Sequence, residues 1–273
     1  MVPIDVDAVV LSNDRLSPDY NVVRLAAPEI AELSRPGQFV MVKQGLGADP
    51  LLRRPFSIFE IVRGTAGNVE GLSLLNKSVG VVTRTLFALQ PGQRLRCLGP
   101  LGEPFSVIHP PAEAWMVAGG VGLAPFLTLS ETLQTEGIPA TLFYGGRSVS
   151  DLYYVDRFEQ LGVRVIVTTE DGTLGETGRV TGPLERELRA SATARTMVYA
   201  CGPTPMMRAV SDLAEHYGCR SEVSLEQVMG CGLGGCYSCV VPLREGDGPP
   251  RFVRSCLDGP VFAGNDISWS HLE

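Results

Sequence analysis

Four of the seven cysteines fall between residues 231 and 256, at a spacing that suits a metal cluster. Cys231, Cys236 and Cys239 follow the pattern C-x4-C-x2-C, and Cys256 lies farther along the chain. Plant-type [2Fe–2S] clusters are held by this pattern of three thiolates and a fourth from elsewhere. A structural zinc site and reduced, unligated thiols are the alternatives, but zinc ribbons favour paired Cys-x2-4-Cys hooks. The spacing therefore predicts a [2Fe–2S] cluster on these four thiolates.

A glycine-rich stretch is the second motif that could do chemistry. Gly119, Gly120 and Gly122 follow the apolar run 115–118 and precede Pro125. A helix that opened here would present free N–H groups and partial positive charge to a pyrophosphate. Because Pro125 takes the place of the third glycine in the G-x-G-x-x-G pattern, a tight structural turn remains the alternative to a nucleotide site.

An arginine pair in the N-terminal half is the third motif. Arg53 and Arg54 precede Pro55, Phe56 and Ser57. A guanidinium beside an aromatic ring and a hydroxyl can hold a diphosphate and face a flat ring system. An arginine pair on a strand is also common on a solvated face, so the motif alone leaves both interpretations open.

The fourth motif is a predicted strand that ends in Cys201, Gly202 and Pro203. Ligands of parallel sheets bind where the strands have their carboxyl ends. Cys201 is therefore a candidate neighbour of a nicotinamide ring, and a small buried packing residue is the alternative.

Charge and hydropathy exclude several classes of protein. The net charge is −7 with no basic run, so the chain offers no patch for a nucleic-acid backbone. No apolar run approaches the roughly 18 residues that cross a bilayer, and Asp5 and Asp7 stand where an export signal would carry positive charge. We therefore expect a cytoplasmic protein with no nucleic-acid or membrane partner.

The elements that must position these motifs change in character near residue 108. Residues 1–108 hold short alternating or β-branched runs separated by Pro and Gly, which predicts an antiparallel barrel. Residues 109–220 alternate apolar strands with helical segments, the pattern of a Rossmann-like parallel sheet, and the clearest helix is expected at about 205–217. Residues 221–273 are rich in Gly and Cys and are expected to form a small cluster-binding subdomain.

In this order the pieces resemble the ferredoxin reductase-like flavoproteins, and most closely the family of electron-transfer subunits of class B dihydroorotate dehydrogenases. The resemblance covers essentially the whole chain. The segments that carry it are CGLGGCYSCVV, SCLDGPVF, GGVGLAP, CGPTPMM, GPLGEPF and RRPFS. It implies a fold of β plus α/β type, with FAD on the barrel, NAD on the parallel-sheet domain and the cluster at the C-terminus.

The resemblance also assigns contacts to FAD and NAD. A first FAD-binding stretch is carried onto Arg54, Pro55, Phe56 and Ser57. A second one is carried onto Asn76, Lys77, Gly80, Val82 and Thr83, and Leu75 is included with it as a cofactor-binding residue. In this second stretch Asn76, Lys77 and Val82 replace the Tyr, Arg and Gly that are usual in the family. NAD is expected at Gly119, Gly120, Gly122, Cys201, Gly202 and Pro203.

The activity implied is the conversion of two-electron into one-electron transfer. A nicotinamide exchanges a hydride whereas a [2Fe–2S] cluster passes single electrons, so a flavin is needed between them. The family implies flow from an FMN-containing catalytic subunit, which oxidises dihydroorotate to orotate in pyrimidine biosynthesis, through the cluster and FAD to NAD. It also implies a heterotetramer with two subunits of each kind, and no catalytic residue for dihydroorotate in this chain.

Other interpretations remain open. Reductase subunits of hydrogenase, sulfhydrogenase or transhydrogenase complexes share these cofactors but serve other partners, and oxygenase reductases usually carry a longer ferredoxin domain. A non-enzymatic redox sensor or zinc adaptor would keep the fold without turnover, and only the departures at Asn76, Lys77 and Val82 favour it. NADP in place of NAD is also open, because Arg147 follows a strand end, where an arginine can pair with a 2′-phosphate; a solvent-facing loop charge is the favoured interpretation of this residue.

Overall fold

A computed structural model describes residues 2–45, 51–107, 113–191, 195–246 and 248–272. The first half forms one antiparallel sheet with two helices. Its elements are β1 (Ile4–Arg15), β2 (Tyr20–Ala26), α1 (Pro28–Ala31), β3 (Phe39–Gln44), β4 (Arg54–Ser57), β5 (Glu60–Arg63), β6 (Val69–Lys77), α2 (Val81–Ala88) and β7 (Arg94–Leu101).

The strands of this sheet lie in the order β4-β3-β7-β1-β2-β6-β5, and each neighbouring pair is antiparallel. Strands β4 and β6 stand far apart in this order but contact each other, because the sheet curls into a barrel. Apolar residues such as Val10, Leu25 and Leu74 fill the interior. The predicted antiparallel barrel is confirmed.

The second half is built on a parallel sheet. Its elements are β8 (Glu113–Gly119), a 3-10 helix (Gly120–Leu123), α3 (Phe126–Thr135), β9 (Ala140–Gly146), α4 (Val155–Gln160), β10 (Arg164–Thr169), β11 (Glu176–Thr177), α5 (Thr181–Ser191), β12 (Thr196–Cys201), α6 (Thr204–His216), β13 (Arg220–Ser224), β14 (Val240–Leu243), β15 (Arg251–Arg254), α7 (Ser255–Asp258) and β16 (Val261–Ala263).

The parallel sheet has the order β11-β10-β9-β8-β12-β13-β16, and only β16 runs antiparallel to its neighbour. Because β8 and β12 are adjacent, the loops that follow them lie side by side at one edge of the sheet. This is the edge at which doubly wound sheets bind nucleotides. The predicted Rossmann-like sheet is confirmed, and so is the helix expected at about 205–217, which is α6.

The glycine-rich stretch departs from the expected direct entry into an α-helix. Gly120 has a φ of +54°, which no α-helical residue adopts, and a 3-10 helix follows it. Helix α3 begins only at Phe126, with Pro125 as its N-cap residue. The motif therefore forms a tight loop between β8 and α3.

The limits predicted for the three domains stay predictions. The limit at 108/109 lies outside the described residues. Strand β13, Arg220–Ser224, runs across the limit at 220/221, and β16 from the C-terminal segment pairs with it, Val223 opposite Phe262. The cluster segment is thus joined to the parallel sheet by strand pairing. Among the described ranges, no helix is both long and apolar enough to cross a membrane.

Candidate cofactor sites

The structure brings the four cysteines of the C-terminal segment together in two pairs. Burial is the main cause that raises the pKa of Cys256 to about 12, and a hydrogen bond with Cys239 adds to it. Ser238 is the main cause that lowers the pKa of Cys236 to about 6, and hydrogen bonds with Cys231 add to it. Cys231 therefore lies beside Cys236, and Cys239 beside Cys256.

Backbone N–H groups already point at one of these sulfurs. Leu233 and Gly235 each donate from the backbone to Cys231 Sγ, at 3.3 Å. The loop turns this tightly because Gly232 and Gly234 adopt left-handed φ angles of +72° and +78°. N–H groups aimed at a sulfur stabilise a thiolate, so the loop is prepared for metal ligation.

The donor set suits a dinuclear cluster. Each iron of a [2Fe–2S] centre takes two of the four protein ligands, which matches the two cysteine pairs. Within the described ranges, no three His, Cys, Asp or Glu side chains converge on a single point. Ser255 Oγ, next to Cys256 in the chain, is fully buried and has no hydrogen-bond partner, so cluster sulfur would satisfy it.

The loop of residues 230–239, which carries Cys231, Cys236 and Cys239 and is called the cluster loop below, packs against the barrel. Cys239 and Cys256 share an apolar cluster with Phe39 and Met41 of β3 and with residues of β7. A Cβ atom on Gly232 would lie 2.6 Å from Met41 Cγ, so only glycine permits this approach. The cluster loop is therefore packed directly against strand β3.

The first predicted FAD stretch lies on the strand next to β3. Strand β4 pairs with β3 so that Pro55 is opposite Met41. The exposed Arg54 donates to the carbonyl oxygens of Leu52 and Arg53, at 3.4 and 3.0 Å, and among the described residues it forms no ion pair. Arg53, in contrast, is paired with Asp5 at 2.7 Å. Arg54 is therefore the exposed arginine without an ion pair among the described residues, whereas Arg53 is held by Asp5 and keeps a buried, unpartnered Nη1.

The second predicted FAD stretch divides into buried and accessible residues. Leu75 is buried in an apolar core shared with the parallel-sheet domain. Asn76 is fully buried, donates to Asn21 Oδ1 at 2.7 Å and to Thr83 O at 3.0 Å, and keeps an unpartnered Oδ1. What the structure describes for Asn76 is an internal network, and its contact with FAD stays a prediction.

Helix α2 opens beside this stretch. Thr83 Oγ1 accepts hydrogen bonds from the backbone of Val79 and Gly80, at 2.9 and 2.7 Å, and so fixes the first turn. Val82 is buried there and anchors the turn on the barrel core. Since the N–H groups of a first helical turn have no intrahelical acceptors, this end of α2 can receive an anion.

Lys77 and Asp151 form an ion pair between the two domains that the sequence did not reveal. Lys77 Nζ and the Tyr20 hydroxyl each donate to Asp151 Oδ1, at 2.9 Å. The Tyr20 hydroxyl would also lie 3.5 Å from a Cβ atom on Gly120. Lys77 and Asp151 are 74 positions apart, so no periodicity or motif could have paired them.

The two predicted NAD segments contact each other. A Cβ atom on Gly122 would clash with the backbone of Cys201, and one on Gly119 would lie 2.8 Å from Pro203 Cδ. Gly202, with a φ of +155°, approaches Gly119 in turn. Gly119, Gly122 and Gly202 are therefore required by the packing of the two loops. Gly120 is not required by this packing, which leaves it as the candidate contact for a ligand.

Cys201 lies at the carboxyl end of β12, where the nicotinamide was expected. Burial is the main cause that raises the pKa of its thiol to about 12, and the Glu226 carboxylate raises it further. At neutral pH the side chain is therefore a neutral thiol, at the edge of the sheet where the nucleotide is expected. Arg147 is exposed in the loop after β9.

Comparison with known proteins assigns a family to this architecture. Residues 116–212 match the family of oxidoreductase NAD-binding domains, and residues 226–268 match the iron-sulfur cluster binding domain of dihydroorotate dehydrogenase B. The dihydroorotate dehydrogenase B (NAD+) electron transfer subunit of Desulforamulus reducens is 37% identical over 263 residues, which cover 96% of this chain and 98% of the relative. The chain belongs to the family of dihydroorotate dehydrogenase B electron transfer subunits.

Other relatives and structures agree with this family. The subunit of the same name from Bacillus velezensis is 35% identical and covers 95% of this chain and 97% of its own length. A solved NADH-dependent reduced ferredoxin-NADP oxidoreductase superposes with a TM-score of 0.84 at 27% identity, covering 98% of this chain and 91% of that one. The ferredoxin reductase of carbazole 1,9a-dioxygenase, at 21% identity and a TM-score of 0.64, shares the fold.

Proposed function

We propose that this chain carries electrons between a catalytic subunit that oxidises dihydroorotate to orotate and NAD. The observation that carries the proposal is the position of strand β3. The cluster loop packs against β3, and β4, the strand that begins with Arg54, pairs with it. One strand thus separates the two proposed one-electron carriers. Bound FAD would accept or give a hydride at the nicotinamide and pass single electrons to a [2Fe–2S] cluster.

The residues of the chain supply binding and orientation. Arg54 pairs with the FAD diphosphate, with Pro55, Phe56 and Ser57 on the same strand, and the first turn of α2 adds N–H donors. The glycine loops receive the NAD pyrophosphate at Gly120. The four thiolates of Cys231, Cys236, Cys239 and Cys256 ligate the cluster. Dihydroorotate itself reacts on the partner, so no group of this chain is assigned to that step.

An exposed apolar surface beside the cluster loop supports a protein partner there. This cluster-side surface is formed by Leu233, Tyr237, Val240, Phe252 and Leu257. The Arg254 guanidinium lies 4.9 Å from the Tyr237 ring and donates to Gly234 O at 2.8 Å, which ties strand β15 to the cluster loop. Exposed apolar patches of this kind mark interaction sites. We assign the surface to the FMN-containing catalytic subunit, two of which would assemble with two copies of this chain.

A cytoplasmic location belongs to the same proposal. None of the seven cysteines forms a disulfide bond, which agrees with a reducing compartment.

One rival retains a specific observation in its favour. The similarity to the NADH-dependent reduced ferredoxin-NADP oxidoreductase extends over nearly the whole chain, so a transhydrogenase-type complex is the second candidate. It would use the same cofactors with another partner. A zinc adaptor, in contrast, would be a colourless protein.

The deciding experiment is anaerobic purification with the candidate dihydroorotate-oxidising subunit. The visible spectrum is recorded before and after addition of dihydroorotate, and again after NAD. Bleaching of flavin and cluster bands by dihydroorotate, followed by recovery as NADH forms, is the expected result. Bleaching by NADH or NADPH alone would reject the dihydroorotate partner while keeping the cofactors.

A further inference from the structure

A serine hydroxyl lies against one of the predicted cluster ligands. Ser238 Oγ is 3.1 Å from Cys236 Sγ. The backbone N–H of Gly230 donates to the same oxygen, at 2.8 Å. A thiolate bound to iron carries no proton, so Ser238 must be the donor when Cys236 is a ligand. The accepting side of the hydroxyl is already used by Gly230, which leaves its proton for the sulfur.

The surrounding backbone is shaped to permit this contact. A Cβ atom on Gly230 would lie 3.1 Å from Cys236 Sγ and 3.3 Å from Ser238 Oγ, closer than ordinary contact distance. Only a glycine at position 230 therefore lets the three groups meet without displacement. The neighbouring Cys231 receives its hydrogen bonds from the backbone, so Ser238 is the donor to this cysteine pair that a substitution can remove.

We propose that the Ser238 hydroxyl donates a hydrogen bond to the Cys236 thiolate and thereby raises the reduction potential of the cluster. The inference rests on the proposed function, because it takes Cys236 as a cluster ligand. Reduction adds one negative charge to the cluster, and a donor to a ligand sulfur stabilises the more negative state. Loss of the hydroxyl makes the reduced cluster a stronger electron donor to its neighbour.

Ser238 acts through the sulfur of another residue, so it is a positioning residue, and its test reads the potential. Anaerobically purified protein with its cofactors is titrated with redox dyes while the electron paramagnetic resonance signal of the reduced cluster is recorded. Ser238→Ala and Ser238→Val remove the hydroxyl, whereas Ser238→Thr keeps it and is isosteric with Val. Ser270→Ala makes the same chemical change elsewhere on the surface and serves as the matched control.

We expect Ser238→Ala and Ser238→Val to lower the one-electron reduction constant about tenfold, which is a shift of ~59 mV to lower potential. Ser238→Thr and Ser270→Ala should titrate as wild type does. Unchanged potentials in Ser238→Ala and Ser238→Val would overturn the inference, and so would an equal shift in Ser238→Thr.

Two further outcomes are informative. If Ser238→Ala loses its cluster, the isosteric Thr and Val variants carry the comparison. Loss of the cluster in both hydroxyl-free variants, with Ser238→Thr intact, would assign the hydroxyl to assembly and reject a role in the potential. Wild-type protein that shows no cluster signal would instead refute the proposed function itself, before any variant is compared.

Discussion

Lys77 Nζ lies 2.9 Å from Asp151 Oδ1 and so ties the last residue of β6 in the barrel to a loop of the parallel-sheet domain. Both side chains are partly sheltered from solvent, and the Tyr20 hydroxyl donates to the same oxygen. The pair therefore fixes the barrel against the parallel-sheet domain close to Gly120. Its position joins the proposed FAD and NAD sites.

Removal of this ion pair should weaken the contact between the domains. We expect Lys77→Met and Asp151→Asn each to lower the free energy of unfolding by about 1 kcal/mol, and the double variant by little more, because both remove the same interaction. Only Lys77→Met should also weaken FAD binding. Urea unfolding measures the first effect and flavin release the second. Arg186→Met, which breaks the exposed pair with Glu176, is the control, and an effect of equal size there would contradict this prediction.

The pH dependence of the pair follows from Asp151. Burial alone would raise the pKa of its carboxyl group, but hydrogen bonds from Lys77 and Tyr20 lower it below the ordinary value of 3.8. A carboxylate with a lowered pKa stabilises the fold above its unfolded pKa, and the contribution is lost as pH falls through the folded value. The stability difference between wild type and Asp151→Asn should stay constant from about pH 8 to about pH 5 and shrink below 3.8. Urea titrations across this range measure it, and a difference that shrinks already near neutrality would show that another group is involved.

The two neighbouring arginines should behave differently. Arg54→Ala is expected to raise the dissociation constant of FAD roughly 10- to 100-fold, as loss of a charge-assisted hydrogen bond does. Arg53→Ala breaks the pair with Asp5 and should cost some stability while FAD affinity stays near that of wild type. Flavin fluorescence during titration of the apoprotein separates them. Equal losses of affinity would place both guanidinium groups, or neither, at the diphosphate.

Gly120 and Gly122 should also separate packing from nucleotide binding. Gly120→Ala places a left-handed alanine whose Cβ atom would contact the Tyr20 hydroxyl at 3.5 Å without a clash, so we expect a loss of ~1 kcal/mol in stability and a higher KM for NADH at unchanged FAD content. Gly122→Ala drives a methyl group into the backbone of Cys201 and should cost about 3 kcal/mol. Unfolding curves and NADH-dependent dye reduction provide the data. Normal NADH kinetics in Gly120→Ala would remove this residue from the nucleotide site.

Substitution on the cluster-side surface should weaken only the binding of the partner subunit. Phe252 is 61% exposed, and Phe252→Glu is expected to weaken binding of the catalytic subunit about tenfold or more, as loss of an apolar anchor does. NADH-dependent dye reduction by the isolated chain should not change. Leu174→Glu, at an exposed leucine near the opposite edge of the parallel sheet, is the control for added charge. Light scattering measures binding of the catalytic subunit. Equally weak binding by both variants would reject the cluster-side surface as the partner's binding site.

Much of the fold could be predicted because local pattern and packing agree. The run 115–118 is apolar on both faces, and it forms the centre of β8, which is buried between helices. Helix α6 likewise ends where Gly218 adopts a φ of +72°. Sequence reasoning missed that β16 returns to pair with β13, since a three-residue strand carries little periodicity of its own.

The site was predictable where one short segment holds the chemistry. Three cysteines within nine positions indicate a metal cluster from their spacing alone, and Arg54 belongs to a motif of five consecutive residues. Asp151, Tyr20 and Ser255 were missed because their roles arise only when distant segments fold together. The glycine motif was predicted with two alternatives: Gly119 and Gly122 are required by packing, and the nucleotide site at Gly120 stays a prediction.

The pairing of β16 with β13, together with the seat of the cluster loop on β3, has a consequence for how the protein is made. The four cluster cysteines leave the ribosome after β3 and β7, on which their loop packs, have been synthesised. Because domains generally fold from the N-terminus as they emerge, the barrel and most of the parallel sheet can form before Cys231, the first of the four cluster cysteines, is synthesised. We therefore expect iron to bind after most of the scaffold has folded, so that metal delivery is a late step of maturation.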